Sequence, residues 1–196
     1  MSPLEVLAGK WQLMLSLAVV FVSGVAVGQV IFIANNAMAF RLLDWLDAKR
    51  KPVIQILHGL LYSRHGVAKA VGFIFAVNLL GASFLQHSLG GLIVAPPFIF
   101  LFTGGLLISL LVRRYPERLL ITAVVAPFEF GAFMIAATGG VGIGLSLWRG
   151  GATSLAVHQW AVLFVALVVP LQVLNAFLEA WLAHRQFVVQ DRPWPQ

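Results

Sequence analysis

The run Leu119–Leu147, LLITAVVAPFEFGAFMIAATGGVGIGLSL, contains one charged residue, Glu129, and is long enough to cross a bilayer with residues to spare. Inside hydrocarbon every backbone N–H and C=O must be paired within the protein, and an unbroken apolar run satisfies them as a helix. An ionised carboxylate at that depth costs about 3 kcal/mol on insertion scales. Glu129 must therefore face other helices or a wet cavity, which makes this helix the one around which the others pack. Pro127 frees a backbone carbonyl and predicts a bend. Gly131, Ala132, Ala136, Gly139 and Gly140 let neighbouring backbones come close.

The remainder is of the same kind. At 60% hydrophobic and 10% charged residues, with a mean hydropathy of +0.93, the chain lies far outside the soluble globular range. Trp11 to Phe40 carries no charge, and the 43 residues between Lys69 and Arg113 carry none either. The latter stretch is too long for one span, so it predicts two, joined by a turn at HSLGG (His87–Gly91). The expected spans are 11–40, about 70–86, about 92–112, 119–147 and about 154–181, the last with a kink at Pro170. The fold class is thus all-α, a polytopic bundle of five transmembrane helices. Its divisions are a lead (1–10), a first span (11–40), a basic amphipathic segment (41–69), a four-span bundle (70–185) and a tail (186–196).

Arg41–Ala70 carries six Lys/Arg against Asp44 and Asp47. Apolar residues alternate with polar ones on either side of Pro52, which predicts two short amphipathic helices broken there. They would lie in the membrane interface, with Trp45 and Tyr62 at headgroup level and Lys49, Arg50 and Lys51 on lipid phosphates. An ordinary basic loop that only sets orientation is the alternative. Either way, the alternation of Lys/Arg-rich and poor connections puts this segment and the C-terminus in the cytoplasm and the N-terminus outside. The net charge of +6 is accounted for by anionic headgroups, and no nucleic-acid partner is expected.

Polar residues within the spans form patterns. Asn78, Ala82 and Gln86 recur every four residues on the second span. Gly104 and Gly105 open the middle of the third to a neighbour, and Gly24 and Gly28 form a GxxxG pair on the first. Gln172, Asn175 and Glu179 share one face of the fifth span, a face expected to look into the bundle. Glu129 is expected near Gln172 and Asn175.

With these residues in view, the last four spans resemble the stage II sporulation protein M family (the DUF95 group). The resemblance rests on Asn78 in FAVNLLG, the small pair in FTGGLLIS, Glu129 in APFEFGAFMIAATGGVGIG and Glu179 in NAFLEAWL, and it covers most of residues 11–185. Two positions depart: Val125 stands where members often have His, and Thr103 where they often have Asn. A His–Glu pair is therefore not implied. The resemblance implies a multi-pass protein of a bacterial or archaeal plasma membrane and a scaffold role beside partner proteins.

No GxSxG elbow, HExxH pair or phosphate-cradling loop occurs, and there is no cysteine. His58, His65, His87, His158 and His184 fall in connections or near span ends, where interfacial positions are expected. No catalytic residue, metal or cofactor is expected. What remains is a non-catalytic scaffold or accessory subunit, partnered by anionic lipid and by other membrane proteins or further copies of itself. The alternative is a small transporter or channel component with Glu129 as a proton or cation site.

Overall fold

The computed structural model describes residues 2–116 and 119–189, the side chains of Leu120, Ile121 and Phe187 aside. The DRPWPQ tail and part of the RRYPER connection lie outside the described residues. Among the described residues there is no strand, and seven helical rods follow one another. They are α1 (Pro3–Gly9), α2 (Trp11–Ala34), α3 (Asn36–Leu61), α4 (Gly66–Ile93), α5 (Ala95–Arg114), α6 (Leu119–Trp148) and α7 (Thr153–Gln186). Five of them, α2 and α4 to α7, are long and apolar enough to cross a membrane. This is an all-α, multi-pass membrane bundle.

Helix α6 stands at its centre. Over its most apolar stretch 56% of the residues are buried inside the protein, against 17–28% in the other spans. Ile135 to Val141 are buried on every side, as expected of a helix enclosed by others. Ala132, Ile135 and Ala136 pack on Leu163 and Val168 of α7 and on Val6 of α1. Phe133 and Ala137 pack on Leu17 of α2 and Leu101 of α5. The helix runs unbroken through Pro127.

Glycines set the closest contacts. A methyl group at Gly24 or at Gly105 would strike the facing backbone, of Phe102 and Phe21 respectively, so the GxxxG pair of α2 is the seam on which α5 packs. Gly104 instead accommodates the ring of Phe130. Gly142 leaves room for the Lys10 amine, a half-buried group whose ammonium form is disfavoured by burial.

The structure corrects several expected boundaries. The first span ends at Ala34, because Asn35 caps a new helix by accepting a bond from the Met38 N–H at 3.0 Å. No turn forms at His87–Gly91. The chain stays helical to Ile93 and reverses at Val94, and Pro96 and Pro97 fall in the first turn of α5, where a missing N–H costs nothing. Gly91 is spent on a close contact with the backbone of Gly140 and Val141.

Helix α3 is one helix of 26 residues, not two broken at Pro52. An interior proline costs about 3 kcal/mol, and contacts on both sides of it offset that loss. Before it, Asp44 pairs with Arg114 at 2.6 Å and Asp47 accepts from the Tyr115 hydroxyl at 3.2 Å. Leu43 and Ala39 meanwhile pack on Leu110 of α5. After it, Leu57 and Leu61 join Ala70 and Ile74 of α4 and Ala176, Ala180 and Ala183 of α7. The helix is a strap across one end of the bundle.

The two kinds of glycine predict opposite outcomes. Gly24→Ala should cost about 1–3 kcal/mol by overpacking against α5. Gly72→Ala, whose added methyl meets nothing within 4 Å, should be neutral or stabilising by up to about 1 kcal/mol. Thermal unfolding in detergent reads both.

Candidate functional site: a buried polar line between α4, α6 and α7

In α4 the stretch Val77–Leu89 is wound as a π-helix, with bonds that reach five residues along. Two side chains follow the same spacing. The Ser88 hydroxyl donates to the Ser83 carbonyl at 2.9 Å, and His87 Nδ1 bonds the Ala82 carbonyl at 2.8 Å. This winding turns Ser83, His87 and Ser88 inward and leaves Gln86 exposed. The expected stripe of Asn78, Ala82 and Gln86 is therefore not the inner face, because its four-residue spacing suits an α-helix. Asn78 itself is half-buried and makes no hydrogen bond among the described residues.

Helix α7 answers this face with three side chains. The Trp160 indole N–H donates to Ser88 Oγ at 3.0 Å. One Gln172 amide hydrogen reaches Ser83 Oγ, also at 3.0 Å, and Gln172 is completely buried. Its Oε1 has no partner. Asn175, less than a turn further along the same face, is also completely buried, and neither of its amide atoms is bonded. The two predicted glycines make the approach possible, since Gly140 lies against the carbonyls of His87 and Ser88 and Gly139 against Trp160.

The line ends near α3 in two carboxyl groups. Because α6 and α7 run antiparallel and Ala132 packs in one cluster with Leu171, Glu129 and Asn175 stand at about the same depth. Glu179 is one turn beyond Asn175. The two carboxylates lie within electrostatic reach of one another, and Arg50 of α3 acts on both.

The structure accordingly brings together Glu129, Gly139, Gly140, Gln172, Asn175 and Glu179 from the sequence analysis. Gly104 and Gly105 belong to the seam with α2 and α6, away from this line. Ser83, Ser88 and Trp160 were not anticipated. The five-residue echo of Ser83 in Ser88 was the available signal. His87 is corrected from an interfacial position to a buried one, 3% exposed, with its ring stacked on Phe133 at 4.8 Å and its Nε2 unpartnered.

Chemically, these groups tie α4 to α7 in two places and leave two carboxyl groups within electrostatic reach of one another. Among the described residues no group of three or more His, Cys, Asp or Glu side chains could hold a metal ion. Comparison with family models, with curated proteins and with solved structures gives no match for this chain.

Replacing each of the two buried amides by leucine should have different outcomes. Gln172→Leu strands the Ser83 hydroxyl and should cost about 0.6–1.7 kcal/mol, the range of interhelical bonds in membranes. Asn175→Leu removes an amide that has no partner and should leave stability unchanged or raised. Unfolding midpoints of the two variants in one detergent test this.

Proposed function

We propose that this chain is a non-catalytic membrane scaffold or accessory subunit of a membrane complex. We assign it, on the motifs around Asn78, Glu129 and Glu179, to the stage II sporulation protein M family and to a bacterial or archaeal plasma membrane. The observation that carries the functional reading is the α3 strap. A basic segment left as a loop would present its charges on a mobile chain. Here Asp44, Asp47, Leu57 and Leu61 fasten it to α4, α5 and α7. Arg41, Lys49 and Lys51 are held outward, with Trp45 and Ile56 exposed for the interface. Ordering entropy at a docking surface is then already spent before a partner arrives.

A second reading, a small transporter or channel component, is favoured by the polar line itself, which runs from Trp160 to the Glu129–Glu179 pair. Under it Glu129 takes up a proton or cation.

One comparison separates the two. In mild detergent the wild type should retain a stoichiometric protein partner, and Asp44→Ala combined with Asp47→Ala and Leu57→Ala, which removes polar and apolar fastenings of the strap together, should lose most of it. Glu129→Gln should assemble and hold the partner as the wild type does. A partner-free oligomer that conducts protons or cations in proteoliposomes, with the flux abolished by Glu129→Gln, would replace the scaffold reading by the transport one.

A further inference from the structure

On the outside of the bundle, at its α3 end, a groove of about 490 Å³ runs between α2, α5 and α6. Its walls are apolar apart from Gln29, Ser109 and Thr122, and its floor is kept deep by Ala126, Pro127 and Gly131. A methyl group at Gly131 would meet nothing within 4 Å. The groove extends from Leu119 to Met134 along α6, a rise of roughly 22 Å. Over that length a volume of about 490 Å³ is a narrow channel, suited to an extended hydrocarbon chain and too slight for a helix about 10–12 Å across.

The mouth of the groove is cationic. Arg113, in the last turn of α5, donates from Nε to Gln29 Oε1 at 2.8 Å, and its guanidinium lies over the Phe32 ring at 5.9 Å. Gln29 in turn donates to Ser109 Oγ at 2.6 Å. This holds the guanidinium at the mouth of the groove, and among the described residues neither terminal NH₂ group has a hydrogen-bond partner. Among the described residues the nearby acids are engaged elsewhere, Asp44 with Arg114 and Asp47 with Tyr115. Among the described residues Arg113 has no acidic partner.

We propose that this groove is a binding site for one anionic phospholipid. The phosphate sits on the paired NH₂ groups of Arg113, a geometry suited to two parallel hydrogen bonds. One turn deeper, the remaining amide hydrogen of Gln29 serves a glycerol ester carbonyl. An acyl chain lies along Phe130, Pro127 and Gly131. The site does not depend on whether α3 recruits a protein partner.

Native mass spectrometry of delipidated protein, with phosphatidylglycerol or phosphatidylcholine added at equal concentration, tests it. The wild type should retain a single phosphatidylglycerol in preference to phosphatidylcholine by about fivefold, the attraction of one basic side chain for anionic lipid. Arg113→Gln should bring that ratio to one. Gly131→Phe, which fills open space, should lose both adducts at an unchanged unfolding midpoint; Gly131→Leu serves if the larger ring prevents folding. Lys49→Gln with Lys51→Gln should leave the preference intact. Equal retention of both lipids by the wild type, or a preference that survives Arg113→Gln, would overturn the site. So would a Gly131→Cys variant of this cysteine-free chain that cross-links to a second copy or to a partner helix in native membranes.

Discussion

Gly140 has no side chain where the carbonyls of His87 and Ser88 press against α6, and one turn on Gly144 meets the carbonyls of Gly91 and Leu92. This backbone-to-backbone approach of α4 to α6 is the contact on which the interior depends. In lipid no hydrophobic effect drives helices together, so association rests on van der Waals contact and on hydrogen bonds that close approach permits. With α4 this near, Ser83 and Ser88 come within reach of Gln172 and Trp160 of α7. Any larger residue at Gly140 would separate the three helices and leave those polar groups in hydrocarbon, unpaired.

The two ends of the bundle then differ in character. Away from α3 the buried polar groups are neutral and mostly bonded. Towards α3 lie the unpartnered amide of buried Asn175 and the half-buried carboxyl groups of Glu129 and Glu179. Charge is concentrated where the strap crosses, and the strap is itself held by charge, through Asp44 and Arg114. An exposed ion pair of that kind contributes little by itself, about 0–1 kcal/mol. It acts here with the Tyr115–Asp47 bond and two apolar clusters, which together keep a proline-containing helix continuous.

Much of this was legible from residues alone. Length and lack of charge specify five spans, and the need to bury Glu129 specifies which of them is central. The spacing of Gln172, Asn175 and Glu179 places them on one face, and small residues at 139 and 140 mark a close contact. What could not be read were features that depend on tertiary contacts. The inward face of α4 follows from π-winding, which shifts the repeat by one residue per turn and moves Gln86 out and Ser83 in. Pro52 predicts a break unless contacts on both sides compensate, and those partners lie far along the chain, at Arg114, Ala176 and Ala180. His87 looked like a turn residue because HSLGG reads as a turn, whereas Gly91 serves helix contact instead.

The inward face of α4 is the claim that all these contacts share. In a chain without cysteine it can be tested by paired substitution in native membranes. Ser83→Cys with Gln172→Cys should be joined efficiently by oxidation or a short thiol cross-linker, and Gln86→Cys with Gln172→Cys should not. Cross-linking through position 86 but not through position 83 would show α4 turned the other way and would contradict the arrangement described here.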